Sequence, residues 1–247
     1  MHPSDTYTTI TPPQYPARTC VVAVADREAI AAALGDAMAS PGTSPGGRGG
    51  IVRQGKIIAR RCRRGGLIRH WVSDGYLRNR PRAEFEVHGA AVAASLPVPP
   101  LLGVCWEKRG LFYHGALATG ALDAVELLDA LRETPERAET LLAATGAVTA
   151  RMHDAGFSHA DLQVRNVLVD PACAVYLIDW DRARAVKRLS SRQRAMNMYR
   201  FRRSLEKHGF PTAYFRYFCA GYGAAPGLPL LGWWYALRSR VSGRASR

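Results

Sequence analysis

The chain predicts an α+β fold in two parts, a strand-rich first half carrying a helix and a mainly helical second half. Three observations carry this. Short apolar runs bounded by turn residues dominate as far as His114, and apolar positions at helical spacing dominate from Asp123 to Ala220. Residues 159–182 then interrupt the helical half with a polar loop, a short apolar strand, a turn, a second strand and an acidic turn. A chain of 247 residues can bury one sizeable core, or two lobes sharing a cleft.

Residues 1–17 read as a poorly ordered arm broken by Pro3, Pro12, Pro13 and Pro16. A first lobe is expected over 18–115 and a second over 116–247. Within the first, residues 19–25 read as a strand and 26–39 as a helix capped by Asp26. Residues 40–50, rich in Gly, Ser and Pro, form a loop ahead of a hairpin of 51–54 and 56–60 turning at Gly55. A glycine-rich turn in that place suits backbone N–H groups covering phosphates. Arg80-Pro81 opens a helix to about Ser95, with Phe85, Val87, His88, Ala91 and Val92 inward, and Pro97-Val98-Pro99-Pro100 ends it. Residues 101–106 and 111–114 read as two further strands.

In the second lobe Asp123 caps a short helix containing Val125, Leu127, Leu128 and Leu131. Thr134-Pro135 starts the next, with Leu141, Thr145, Val148 and Met152 on one face and Gly156 as its stop. Helices over 192–207 and 213–220 complete the lobe.

The composition is that of a globular protein, 47% apolar and 22% charged. Five scattered cysteines without a Cys-x-x-Cys pair argue for unpaired thiols in a reducing compartment and against a zinc site. The first residues show no signal-peptide pattern, and no apolar run reaches the roughly 18 residues a membrane span needs. The net charge of +14 calls for anionic partners: nucleic acid, phosphate-bearing ligands or an anionic membrane surface. No zinc finger, aromatic RNA-binding motif or basic zipper speaks for nucleic acid.

The chemistry lies in the spacing of Asp161, Asn166 and Asp179, five and thirteen residues apart. This order suits metal-dependent phosphoryl transfer. Asp161 would take or orient the proton of an attacking hydroxyl, and Asn166 and Asp179 would hold magnesium, which prefers oxygen ligands, on nucleotide phosphates. Taken singly, the three residues read as a helix cap, a turn residue and a strand end, which explains each but not their joint spacing.

Several motifs then converge: Gly46-Gly47-Arg48-Gly49, Arg63-Arg64-Gly65-Gly66-Leu67, Arg80-Pro81-x-x-Glu84-Phe85, Leu96-Pro97-Val98-Pro99, His153-Asp154-Ala155-Gly156, His159-Ala160-Asp161-Leu162, Leu177-Ile178-Asp179-Trp180-Asp181-Arg182 and Arg202-Arg203-Ser204-Leu205-x-Lys207. Over about residues 46–223 the chain resembles the 3-deoxy-D-manno-octulosonic acid (Kdo) kinase family of the protein-kinase-like superfamily. The resemblance implies a two-lobed kinase-like fold, with an antiparallel sheet and one helix in the first lobe. It implies ATP and Mg2+ as cofactors and transfer of the γ-phosphoryl group to the 4-hydroxyl of a Kdo sugar on a lipid A precursor. By position, Asp161 is then the catalytic carboxylate, Asn166 and Asp179 are the metal ligands, and His159 is a packed loop support. Gly46, Gly47 and Gly49 cover the nucleotide, and Glu84 is the helix glutamate that pairs with a strand lysine. Arg60 stands where that lysine is expected, with Arg61 or Lys56 as alternatives under a strand shift. Gln163 falls near the transferred phosphoryl group.

Three departures from regulated protein kinases matter. Ala160 replaces the arginine that reads a phosphorylated activation loop, Asp181 replaces a glycine and suits a salt bridge or a second metal, and no Ala-Pro-Glu segment follows. A small or lipid-borne sugar acceptor is favoured over a protein. Arg182, Arg184 and Arg188, with Lys187, Arg192 and Arg194, are candidates for the acceptor's carboxylate and phosphates. The aromatic and basic residues of 229–240 suit a lipid interface or a packed C-terminal helix. The expected location is cytoplasmic, on the inner face of the bacterial inner membrane, with no nucleic-acid partner. Alternatives are a kinase acting on a heptose or another small alcohol, and a pseudokinase that binds anionic lipid without chemistry.

Overall fold

The computed structural model describes residues 6–12, 15–40, 50–62 and 76–223. The chain divides into two compact units, residues 1–92 with 99–122 and residues 93–98 with 123–247.

The first unit is built on β1 (Tyr7–Ile10), β2 (Arg18–Ala23), β3 (Ile51–Gln54), β4 (Ile57–Arg61), β5 (Leu101–Arg109) and β6 (Phe112–Gly120). These form one antiparallel sheet in the order β1-β2-β5-β6-β4-β3. Strand side chains alternate between faces. Cys20, Val22, Ala59, Cys105, Ala116 and Ala118 line one face and pack on Ile30, Ala33, Leu34, Ala37 and Met38 of α1 (Arg27–Ala39). The small side chains let α1 lie close to the strands. Leu101, Val104 and Leu117 turn to the other face, where Phe85 of α2 (Arg80–Ala93) joins them. Gly55, at φ 56, makes the β3–β4 turn in the left-handed region that favours glycine.

The sequence reading is corrected at several points here. Residues 7–10 of the expected arm are β1, which pairs with β2 at the sheet edge. Both helices expected in this unit are present, one more than the resemblance alone implies. Asp26 adopts a left-handed conformation (φ 58) and makes no side-chain cap, because capping geometry needs an extended residue there. On α2 His88 and Ala91 are buried as expected and Phe85 packs on the sheet, but Pro81 and Glu84 are buried too and Val92 is exposed. β6 runs on to Gly120 because Ala116–Gly120 pair with β4, so the unit boundary falls after Leu122 and not at 115. Cys20 and Cys105 are not free thiols: they sit opposite each other on β2 and β5, on the same face, and form a disulfide.

The second unit contains β7 (Val125–Glu126), α3 (Leu127–Glu133), a 3-10 turn at Pro135–Arg137, α4 (Ala138–Asp154), β8 (Phe157–Ser158), a 3-10 turn at Val164–Asn166, β9 (Val167–Val169), β10 (Val175–Leu177), β11 (Arg184–Ala185), α5 (Ser191–Lys207) and α6 (Thr212–Tyr222). The small sheets are β10-β9-β7 and β11-β8. α3 begins after Glu126 rather than at Asp123, since Val125 and Glu126 are claimed by pairing with β9. Thr134 does not cap: its hydroxyl donates back to the Ala130 carbonyl at 2.8 Å. α4 and α6 approach so closely that a Cβ on Gly146 would strike the Phe218 carbonyl, and one on Gly221 the Ala143 carbonyl. Ser190 and Gln193 form a capping box that starts α5. This helix buries Ala195, Asn197, Met198, Tyr199, Phe201, Ser204 and Leu205, and Phe201 stacks on Phe218 of α6 at 4.4 Å.

Candidate active site

The loop carrying Asp161 runs from β8 to β9 and is fixed at both ends. β8 pairs with β11, and Val164 N–H donates to the buried Ser204 hydroxyl of α5 at 3.1 Å. The β9–β10 hairpin returns the chain beside the loop, where Ile178 N–H donates to the Asn166 carbonyl at 3.0 Å. Asn166 and Asp179 are thereby brought together. Asp179 has φ 65, a left-handed conformation costing a non-glycine residue roughly 1 kcal/mol. Trp180 anchors the next position: it is fully buried and its indole N–H donates to the Leu177 carbonyl at 3.2 Å.

Asp161 is exposed and its two carboxylate oxygens are unlike. Oδ2 accepts from the Gln163 amide at 2.7 Å and from Asn166 Nδ2 at 3.3 Å, whereas Oδ1 meets no donor among the described residues. Asn166 Nδ2 also donates to the Asp161 carbonyl at 2.8 Å. The amide hydrogens of Asn166 are thus engaged toward Asp161, and its oxygen is the atom left for a cation. Magnesium takes few protein oxygens and completes its octahedron with phosphates and water. An amide oxygen and the Asp179 carboxylate therefore fit a magnesium–nucleotide complex.

His159 is fully buried. Its Nδ1 accepts the Asp161 backbone N–H at 3.2 Å, its Nε2 donates to the Ile178 carbonyl at 3.0 Å, and its ring meets Trp180 edge to face. Burial pushes its pKa below the usual histidine value, so the ring is neutral and ties the two ends of the site together.

In the first unit Arg60 and Glu84 form an ion pair between β4 and α2. The strand register explains the choice. Ala59 faces α1, so Arg60 points to the opposite face, where Glu84 is 4% exposed. Arg61 turns back toward α1 and donates to the Ser40 carbonyl at 3.2 Å. Lys56 lies in the exposed β3–β4 turn. Cys62 Sγ stands 3.9 Å from the second Glu84 oxygen.

Among the basic candidates, Arg182, Arg184, Lys187, Arg188 and Arg192 are exposed. Arg194 is committed elsewhere, to Asp154 Oδ1 at 2.7 Å. Gly46, Gly47 and Gly49, the Arg63–Leu67 motif and the aromatic tail lie outside the described residues. A cavity of ≈ 200 Å³ in the second unit is lined by Asp123, Glu133, Arg137 and Asp170 among others, and none of Asp161, Asn166 or Asp179 borders it. Sequence reasoning missed Asn197, a buried amide that holds the backbone of His159. Its only signal was a polar residue on the apolar face of α5, between Ala195 and Met198.

Comparison with known proteins points the same way. Residues 28–222 match the model of the lipopolysaccharide kinase (Kdo/WaaP) family. The chain is 34% identical over 173 residues to a 3-deoxy-D-manno-octulosonic acid kinase of Xylella fastidiosa (strain M12), covering 66% of this chain and 69% of that one. It is 36% identical over 171 residues to the enzyme of the same name from Xanthomonas axonopodis pv. citri (strain 306), covering 66% and 68%. The solved structure of WaaP in complex with acyl carrier protein superposes with a TM-score of 0.56 at 17% identity, over 90% of this chain and 95% of that one, and shares its fold. With the shared kinase-like fold and the match over residues 28–222 in agreement, the chain belongs to the lipopolysaccharide kinase (Kdo/WaaP) family of phosphotransferases.

Proposed function

We propose that this protein transfers the γ-phosphoryl group of ATP to the 4-hydroxyl of a Kdo residue on a lipid A precursor. The observation that carries the reading is the asymmetry of the Asp161 carboxylate. Oδ2 is held by Gln163 and Asn166, and Oδ1 is left to accept the proton of the attacking hydroxyl. A base must reach that proton within hydrogen-bond distance, and a carboxylate fixed through one oxygen presents the other in a defined direction. Asn166 Oδ1 and Asp179 are the groups that would hold magnesium. Bound there, the metal would screen the charge on the phosphates and on the group in flight. Arg60, held by Glu84, supplies a permanent cation for the nucleotide phosphates in the role the strand lysine has elsewhere.

The acceptor side rests on charge. Kdo carries a carboxylate and lipid A carries phosphates, and the exposed Arg182, Arg184 and Arg188 follow directly after the metal segment. The net charge of +14 also suits a protein that works at an anionic membrane surface, on the cytoplasmic side. No helix among the described residues is long and apolar enough to cross a membrane.

The test is incubation with ATP, magnesium and a Kdo-bearing lipid A precursor, read by mass spectrometry. One phosphoryl group should appear on the Kdo and should be lost in Asp161→Ala. Asp179→Ala should in addition raise the magnesium concentration needed for ATP binding. Phosphorylation of a heptose but not of Kdo would overturn the acceptor assignment, and wild-type transfer in both variants would overturn the site.

A further inference from the structure

The transfer chemistry gives no role to Arg165, the cation beside the proposed metal ligand Asn166. Its side chain is 47% exposed and reaches Glu126 of β7 at 3.6 Å. A surface ion pair of that length holds its partners weakly, so Arg165 is able to turn to another anion. Four residues of chain, at most about 14 Å, separate it from Asp161. The bonds from Asn166 Nδ2 to Asp161, at 2.8 and 3.3 Å, fold that stretch back on itself.

Three elements meet at this point. α3, α5 and β7 all pack against the 3-10 turn that carries Arg165. The bond from Val164 N–H to the Ser204 hydroxyl, at 3.1 Å, seats the last turn of α5 on it. His208 N–H closes that turn on the Ser204 and Leu205 carbonyls at 3.3 and 3.1 Å. Lys207 and His208 stand there, and Arg132 comes from the last turn of α3. Burial, and next the charges of Arg165, Arg132 and Lys207, lower the His208 pKa, and Glu126 is the carboxylate that acts against them. Arg132 and Lys207 complement the carbonyl ends of their helices. Arg165 lies on neither helix, and with it the place carries an excess of positive charge.

We propose that Arg165, Arg132 and Lys207 form a subsite for a phosphate monoester of the acceptor, outside the sugar that is phosphorylated. The inference rests on Asp161 as the catalytic carboxylate and on the Kdo-bearing lipid A precursor as acceptor. A phosphate monoester carries nearly two negative charges and three acceptor oxygens, which suits cations converging from three elements. A carboxylate, with one charge and two oxygens, is served by a single guanidinium fork. Lipid A bears its phosphates on the disaccharide to which Kdo is attached. A Kdo hydroxyl at Asp161 therefore brings a phosphate within a few sugar bonds of the loop. The phosphate does not react, so it is bound alike in the ground and transition states and sets KM rather than kcat.

The experiment measures kcat and acceptor KM for wild type, Arg165→Gln, Arg165→Lys and Lys207→Gln on two acceptors, the phosphorylated Kdo lipid A precursor and a Kdo glycoside without phosphate. MgATP Kd and thermal unfolding are the controls. On the phosphorylated acceptor Arg165→Gln should raise KM about tenfold with kcat within about threefold. Lys207→Gln should raise KM by a smaller factor, and Arg165→Lys should recover most of the loss. On the phosphate-free glycoside no variant should change KM. An equal rise on both acceptors would assign Arg165 to the Kdo carboxylate and overturn the phosphate subsite. An unchanged KM in Arg165→Gln overturns it too, as does a loss of MgATP binding that accounts for the whole effect. A merely structural Arg165 would lower the unfolding temperature without separating the two acceptors. If the wild type phosphorylates neither acceptor, the reading of the reaction fails and the subsite is still tested by inorganic phosphate. The ring signals of His208, assigned through His208→Asn, should then move in the NMR spectrum of the wild type and stay in place in Arg165→Gln. No movement in the wild type, or an equal movement with chloride at matched ionic strength, overturns the subsite.

Discussion

Arg60 on β4 and Glu84 on α2 form an ion pair in which the glutamate side chain is only 3% exposed and the arginine side chain 29%. Removing the arginine deprives a buried carboxylate of this positive charge, which costs on the order of 3 kcal/mol. Arg60→Ala should therefore unfold at a clearly lower temperature than wild type, and Arg60→Lys should recover most of the loss because it keeps the charge. The Lys variant should also retain ATP turnover if the cation serves the nucleotide phosphates. An Arg60→Ala protein with wild-type stability and ATP KM would remove Arg60 from both roles.

Gln163 donates to the Asp161 oxygen that faces away from the proposed proton transfer. Gln163→Ala should lower kcat about tenfold, with MgATP KM little changed, because the carboxylate loses orientation rather than charge. Gln163→Glu should do more. A second carboxylate beside Asp161 raises the pKa of the pair, so the acidic limb of the rate profile should move to higher pH. A pH–rate profile of the Glu variant that overlays the wild-type profile would show that the two side chains do not communicate.

His88 and His153 are buried and neutral, with burial lowering each pKa to about 4. In the unfolded chain both bind protons near the ordinary histidine value of about 6.5. Because the folded pKa is the lower one, their contribution is fully present above pH 6.5 or so and is lost as pH falls toward 4. The upper bound is about 3 kcal/mol for each residue. Denaturant midpoints measured across that window should fall with pH, and His153→Gln should flatten the slope. A midpoint independent of pH between these limits would mean that the histidines are accessible to protonation in the folded state.

The pairing of Cys20 with Cys105 leaves Cys62, Cys173 and Cys219 outside any disulfide. Denatured without reductant, the protein should present three thiols to a colorimetric reagent, and five after reduction. The bond closes a separation of 85 residues, and in the chain-entropy account a loop of that size is worth about 4.6 kcal/mol. Reduction should lower the unfolding temperature without altering the loop at Asp161, which lies in the other unit. Five reactive thiols before reduction would rule the disulfide out.

What the amino-acid sequence determined by itself was local. The period of two in β2 through β6, the glycine turn at Gly55, the proline stop after α2 and the 3.6-residue spacing of α4 and α5 are visible because each depends on neighbours in the chain. The order Asp161, Asn166, Asp179 is legible for the same reason, since two short strands with a turn between them set its spacing. The tertiary structure decided whatever depends on which face meets which partner. Nothing local separates Arg60 from Arg61. Only the packing of Ala59 on α1 turns Arg60 toward Glu84 and sends Arg61 back to the end of α1. Cys20 and Cys105 are 85 residues apart and become neighbours only through the register of β2 on β5. β1 has meaning only as an edge added to β2. Asn197, His153 and Tyr222 look like isolated polar residues on three helices, and only the packing of those helices links them through hydrogen bonds to the backbone N–H and C=O of His159, two residues before Asp161. A buried polar group must find its partner wherever the fold puts one, and the local pattern of a chain carries no record of that choice.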